Sequence, residues 1–152
     1  GLDLVGVDYS TPLITVARKV LPHGSFHVAD LRNFRIEGYY DHILFHGVIH
    51  YMRACEVKDL ILGSLDHARK SVSVLEVPSS SFQMEAESIR AEMAGPAEYA
   101  KQYLGLQHTY FSEDFFRAIV RPGWVLRRAA SSIKNYAQAR FRFGVIFDRE
   151  GR

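Results

Sequence analysis

Apolar residues in this chain come in short runs that close on a polar or charged side chain. Between several of those runs the repeat lengthens to three and four. Leu2–Val7 is rich in Leu and Val and closes on Asp8, the composition of a short strand buried in a parallel sheet. Ser10-Thr11-Pro12 follows. Thr11 can cap a helix, and Pro12 suits its first position, where a missing N–H is no loss. Leu13, Val16, Ala17 and Val20 then recur at i, i+3, i+4 and i+7, which predicts a helix with one apolar face. Pro22-His23-Gly24 stops it. Ser25–Ala29 reads as a second strand, ahead of Asp30. Val57, Leu60, Ile61, Leu65 and Ala68 mark another amphipathic helix. Ser71–Val77 (SVSVLEV) is β-branched and bounded by Arg69-Lys70 and Pro78, so it reads as a strand.

The stretch from about Ser81 to Leu104 is more polar and predicts two helices broken at Gly95-Pro96, with Gly105 closing the second. Ser112 caps a further helix whose first turn carries Glu113 and Asp114, favourable at the positive end of the dipole. After the Arg121-Pro122-Gly123 turn, Trp124 to about Ser132 and Ala139–Phe147 read as two strands with no helix between them. They are therefore expected to run antiparallel. The alternation before them points to an α/β fold, a doubly wound and mostly parallel sheet in a single domain spanning 1–152.

Three histidines, His42, His46 and His50, fall four apart in DHILFHGVIHYM. On a helix they would share a face and could hold a metal. A helix there would place Ile43, Leu44, Phe45, Val48 and Ile49 all round its surface and Gly47 in its interior, at about 1 kcal/mol against Ala. A strand over Tyr40–His46, released into a loop by Gly47, fits better. No Cys, Asp or Glu nearby completes a metal set. In parallel α/β sheets ligands bind beyond the carboxyl ends of strands, so His46, Gly47 and His50 fall near that edge and His42 behind it.

Composition narrows the classes. The 152 residues suit one domain with a core, and 47% hydrophobic content is ordinary for a globular protein. The net charge of +2 is spread along the chain, which gives no argument for a nucleic-acid partner. The single cysteine, Cys55, cannot form an intrachain disulfide, which leans to a reducing, cytoplasmic setting. No apolar run approaches the roughly 18 residues needed to span a bilayer, and no signal peptide is visible. The opening GLDLVGVDYS has no Met and enters a strand-like run at once, as a partial sequence would.

Three strand ends now stand out: GVDYS at Asp8, HVADLRNF at Asp30 and ILFHGVIHYM at His46. In that order, followed by the paired final strands of WVLRRAASSIKNYAQARFRFGVIFDR, they resemble the class I S-adenosylmethionine-dependent methyltransferases from Leu2 to Asp148. The resemblance implies a Rossmann-like fold with a C-terminal antiparallel hairpin. It also implies that Asp8 takes the ribose hydroxyls of S-adenosylmethionine, with Tyr9 flanking the adenosine. Asp30 would take the adenine amine with Leu31 against the ring, and His46 and Gly47 would lie beside the methionine part. A carboxylate suits two vicinal hydroxyls or an exocyclic amine, because charge-assisted hydrogen bonds are the strong ones. The chain departs from the family in one respect. The first strand and its glycine-rich loop have no counterpart, so the resemblance implies an upstream segment that holds both, and otherwise a gap in the sheet or direct pairing across it.

Methyl transfer from a sulfonium is an in-line displacement that needs alignment and often a base. His50 is the first candidate for that base, with His46, Glu76 and His108 next and Tyr110 close by. The insert from about Ser79 to Leu106 would cover the pocket, its charges (Glu85, Glu87, Arg90, Glu92, Glu98, Lys101) reading as a solvated helix face. Glu76-Val77-Pro78, GLQH and FRF are loosely similar to methyltransferases of polysaccharide and small-molecule pathways. They imply O-methylation of a sugar or other small polar metabolite, with no nucleic-acid or membrane partner and the oligomeric state left open. Two other classes compete. A nicotinamide-dependent oxidoreductase also binds ribose at an acidic strand end, though the final hairpin and Asp30 argue against it. A non-catalytic methyltransferase-like binding domain would differ by a blocked cofactor cleft.

Overall fold

The computed structural model describes residues 3–102, 108–129, 136 and 139–151. The chain divides into two compact units, Gly1–Glu37 and Gly38–Arg152.

The first unit is a βαβ element. β1 (Val5–Asp8) pairs in parallel with β2 (Ser25–Val28), Val5 opposite Ser25 and Asp8 opposite Val28, and α1 (Thr11–Val20) connects them. The cap of α1 is Ser10, one residue earlier than expected. Its hydroxyl accepts the Leu13 N–H at 3.4 Å, so Thr11 is already helical and Pro12 lies in the first turn. Arg18 and Lys19 occupy the last turn, favourable against the dipole. The predicted apolar stripe is not buried here. Ile14 is the buried residue of α1, while Leu13, Val16 and Val20 are 59%, 56% and 68% exposed. The Phe26 ring lies over two glycines: a Cβ on Gly6 would stand 2.6 Å from Phe26 Cδ1, and one on Gly24 would stand 2.6 Å from its Cε2. Gly6→Ala is therefore expected to displace the ring and lower stability by about 1–2 kcal/mol through overpacking. An unchanged urea midpoint for that variant would refute it.

The second unit carries a four-stranded sheet in the order β3-β4-β6-β5. Its strands are β3 (Tyr40–His46), β4 (Ala68–Pro78), β5 (Trp124–Ala129) and β6 (Arg142–Arg149). β3 and β4 are parallel, joined through α2 (Ala54–His67). β6 is antiparallel to both β4 and β5. The expected final hairpin is present, but the mostly parallel, doubly wound sheet is not. β6 inserts beside β4, so the hairpin supplies half of this sheet, and two of its three pairings are antiparallel. The strands also form two separate sheets, with β1 and β2 in the smaller one.

Gly95, at φ +79°, ends α3 (Gln83–Ala94), and Pro96 opens α4 (Pro96–Gln102), as the sequence predicts. Gly105 lies outside the described residues. Ser112 caps α5 (Glu113–Arg117), accepting the Phe115 N–H at 3.3 Å. β5 is described as far as Ala129, and 130–132 lie outside the described residues. The last predicted strand begins later than expected: Ala139–Phe141 is a 3₁₀ turn, and β6 starts where Arg142 pairs with Pro78. The core combines Val72, Val74 and Val77 of β4, Val145 and Phe147 of β6, Val57, Ile61 and Leu65 of α2, and Phe116. At about 1.5–3 kcal/mol per buried apolar side chain, this cluster outweighs any surface ion pair in the molecule.

Candidate functional site

In the first unit the acidic residues fall at the carboxyl ends of two paired strands. Asp8 closes β1, and its Oδ1 accepts the Ser10 N–H at 2.8 Å, which turns the chain into α1. Tyr9 between them is exposed. Asp30 stands two residues beyond β2. Its Oδ1 accepts the Arg32 backbone N–H at 2.9 Å, and the Arg32 guanidinium grips both carboxylate oxygens at 2.5–3.0 Å. These bonds to Arg32 hold the Asp30 carboxyl down at about 2. Leu31 is half-buried. An ionised carboxylate has about four lone-pair sites. Asp8 therefore keeps acceptor capacity beyond its turn bond, whereas an adenine amine at Asp30 would have to share or displace Arg32.

In the second unit, His42 and His46 lie on a strand and His50 on the 3₁₀ turn Ile49–Tyr51. Their four-residue spacing therefore does not stack them on one helical face, which removes the geometry the metal reading needs. His46 is exposed and sits opposite Leu75 in the β3–β4 register. Gly47, at φ +64°, turns the chain out of β3 while its N–H donates to Leu75 O at 3.1 Å. Next to Leu75, the pairing of β4 with β6 slips between Val74 and Val77. Glu76 sits in that irregularity at φ +61°, the one positive φ outside glycine among the described residues. Such a conformation costs about 1–3 kcal/mol and persists only when its surroundings enforce it. Here they do: Tyr136 OH donates to Glu76 Oε2, Arg142 Nη1 donates to the Glu76 carbonyl at 2.9 Å, and Arg142 Nε stands 3.7 Å from Oε2.

His50 is 4% exposed. Its carbonyl accepts the Thr109 N–H at 2.9 Å, and Thr109 Oγ1 donates to Met52 O at 2.8 Å. These bonds bring His108 edge-on to His50, ring centroids 4.8 Å apart, with Tyr51 4.1 Å from His50. The segment carrying His108 is fastened at its other end by Phe111, whose N–H donates to Pro78 O at 2.9 Å. Behind it, Arg90 Nη1 donates to Glu87 Oε1 at 2.9 Å and to Tyr110 OH at 2.5 Å, and that hydroxyl donates to Glu87. Glu87 and Arg90 are thus a partly buried network rather than a solvated helix face. Tyr136 was not singled out by the sequence reading, and Arg142 entered it only inside FRF, although an arginine at the entry of an apolar strand was a usable signal.

Burial chiefly, then His108, Arg142 and Arg90, push the His50 imidazole down to about 3. Burial and Arg90 lower His108 as well. Burial and the bond to Glu87 raise the Tyr110 hydroxyl. Among the described residues, the buried atoms His50 Nδ1 and Arg142 Nε have no hydrogen-bond partner. Chemically, the second unit thus gathers two imidazoles held toward the neutral form and two guanidiniums paired with Glu87 and Glu76 near the carboxyl ends of β3 and β4.

No protein-family profile and no curated protein sequence matches the chain. Its fold matches many solved structures. One is magnesium protoporphyrin IX methyltransferase from Synechocystis PCC 6803 with bound S-adenosylhomocysteine, at TM-score 0.66 and 18% identity over 98% of this chain and 64% of that one. Another is the plantazolicin methyltransferase BpumL in complex with a triazolic desmethylPZN analogue and S-adenosylhomocysteine, at 0.67 and 14% over 97% and 67%. A third is the N-methyltransferase NodS of Bradyrhizobium japonicum WM9 with S-adenosylhomocysteine, at 0.63 and 11% over 98% and 67%. The chain therefore has the fold of class I S-adenosylmethionine-dependent methyltransferases, and it spans 64% of the first of these proteins. No helix among the described residues is long and apolar enough to cross a membrane.

Proposed function

We propose that the protein of which this chain is part transfers a methyl group from S-adenosylmethionine to a small polar acceptor. The observation that carries the reading is the likeness of nearly the whole chain to methyltransferases crystallised with S-adenosylhomocysteine. Asp8 and Asp30, at the carboxyl ends of paired parallel strands, add to it. Asp8 binds the ribose hydroxyls and Tyr9 flanks the adenosine. Asp30 takes the adenine amine and Leu31 packs on the ring. His46 and Gly47 lie beside the methionine part. The cofactor supplies an electrophilic methyl on a sulfonium. The chain's own residues align the acceptor, exclude water and hold its polar groups, and the candidates are His50, His108 and Glu76. Sugar hydroxyls are among the acceptors this reading admits.

The strand and glycine-rich loop that would complete the cofactor site belong, in this reading, to a segment upstream of Gly1. The greater length of the solved relatives supports it, as do the 59% exposed Leu44 on edge strand β3 and the uncovered stripe of α1.

Calorimetric titration of S-adenosylhomocysteine tests the reading, into this chain and into a version extended upstream. The extended protein is expected to bind, with Asp8→Ala weakening affinity by about tenfold or more, since it removes charge-assisted hydrogen bonds to ribose. Asp30→Ala should weaken it less, because Arg32 already occupies that carboxylate. No binding by a folded extended protein would sink the proposal.

A further inference from the structure

We infer that α3 is a lid at the carboxyl ends of β3 and β4, latched by Tyr110, that opens while the sheet stays folded and is held shut when the cofactor is bound. The inference rests on the methyltransferase reading for what the lid covers, and it names how access to that site is regulated. Ligands of parallel α/β units bind beyond the carboxyl ends of the strands. At that end β4 passes through the turn Ser80–Phe82 into α3. Of the twelve residues of α3, Ala86 is the buried one, with Glu87, Arg90, Ala91 and Ala94 half-buried beside it. Its long apolar side chains lie outside that contact, Met84 and Met93 being 89% and 85% exposed. By contrast, α2 buries Val57, Ile61, Ser64 and Leu65. An alanine removes little apolar surface from water, so packing holds α3 far less firmly than it holds α2.

Side-chain contacts fasten it instead, at two points. At its start Phe82 stands edge-on to Phe141, ring centroids 6.0 Å apart, and Arg140 lies over the Phe141 ring at 4.9 Å and donates to Glu85 Oε2 at 2.8 Å. The Glu85–Arg140 pair is exposed and contributes little. At its middle, Tyr110 OH accepts from Arg90 Nη1 at 2.5 Å and donates to Glu87. The far end runs out at Gly95, φ +79°, where an added Cβ would meet nothing within 4 Å. Tyr110 itself is fixed to the sheet. Thr109 before it bonds the His50 and Met52 carbonyls, and Phe111 after it, 3% exposed, donates to Pro78 O and accepts the Ser80 N–H at 2.8 Å. The moving half of the contact is therefore α3, pivoting at Phe82 and released at Tyr110. Elements with few buried apolar contacts open at the low end of a protein's range of stabilities. One hydroxyl shared between a carboxylate and a guanidinium is a large part of what α3 loses on opening.

The test is amide hydrogen exchange followed by mass spectrometry. A detached helix of this length is marginal in water, so an open lid exchanges its amides. In the parent chain α3 is expected to exchange faster than β4 and β6. Tyr110→Phe keeps the ring beneath Arg90 and leaves the Glu87–Arg90 pair at 2.9 Å intact. It should speed α3 by about tenfold, the worth of a hydrogen bond to a charged group, and leave β4 and β6 as they were. Should that variant not fold, Glu87→Gln takes its place, since it strips the charge from the same bond. In a version extended upstream, S-adenosylhomocysteine at about ten times its dissociation constant should slow α3 by about tenfold, as a ligand does to an open state that cannot bind it. Exchange of α3 in step with β4, no change in Tyr110→Phe, or equal acceleration of helix and sheet would each overturn the lid. Cofactor binding that leaves α3 unslowed would overturn it too. Absence of cofactor binding with the Tyr110 effect intact refutes the methyl transfer and leaves the latch standing.

Discussion

Below pH 6.5 the folded chain is expected to lose stability steeply, and His50→Asn to flatten that loss. The sign follows from the direction of the shift. An unfolded histidine titrates near 6.5, whereas in the fold burial and the neighbouring His108, Arg142 and Arg90 push His50 down to about 3. Above pH 6.5 neither state is protonated there, and its contribution sits at its plateau. As pH falls, the unfolded chain takes up a proton that the native site refuses, and stability drops by up to about 1.4 kcal/mol per pH unit until the folded value is reached. For a site this buried the whole loss is on the order of 4 kcal/mol, a large share of a typical folding free energy. His108, lowered as well, adds in the same direction. Glu87 raises His108 and trims its part. The carboxylates act in a lower window: exposed Asp30, held at about 2, loses its ion pair only below the ordinary carboxylate range. Urea unfolding at several pH values between 7 and 4 measures this. A His50→Asn variant with the same slope as the parent would show that His50 is solvated and titrates normally.

How far these features could be read from the sequence depends on the range of the forces behind them. The ends of β1 and β3 were legible because a Leu- or Val-rich run closing on Asp8, or opening after Tyr40, is a local signal. The break at Gly95-Pro96 was equally local, since Gly supplies the positive φ and Pro cannot continue a helix. The partner of β6 was not local. Nothing in RFGVIFDR says that it will run beside β4, and that one non-local choice turned an expected parallel sheet into one with two antiparallel pairings. The α1 stripe shows the same limit, because periodicity identifies a face that needs cover without naming what covers it. Asp8, Asp30, His46 and Gly47 were singled out as candidates by their position at strand ends. His50, Glu76, His108 and Tyr110 were also singled out, but the contacts that hold them were not legible, because they are assembled across the fold. Arg142 meets Glu76 from 66 residues away, and Tyr110 meets Glu87 from 23. Helical charge spacing alone made Glu87 and Arg90 look like surface.

Glu76→Ala is expected to destabilise the chain by about 2–4 kcal/mol, and Glu76→Gly by about 1 kcal/mol less. Both substitutions strip the carboxylate that faces Arg142 and accepts from Tyr136. Breaking a buried ion pair by removing one member leaves the other charge without compensation, which costs more than the intact pair contributes. The figure sits below the top of the usual range because the pair is long, at 3.7 Å, and both side chains keep 16% of their exposure. The glycine variant loses the same carboxylate but relieves the φ of +61° that Ala retains. Adding Arg142→Met to Glu76→Ala should recover most of the loss, since the double variant buries no orphaned charge, and this non-additivity is the coupling a double-mutant cycle reads. Urea midpoints of the four proteins measure it. Additive losses would mean that Glu76 is held by its backbone alone. Ala and Gly variants of equal stability would mean that the positive φ carries no strain. If both expectations hold, the Arg142–Glu76 pair is what fixes the irregularity of β4.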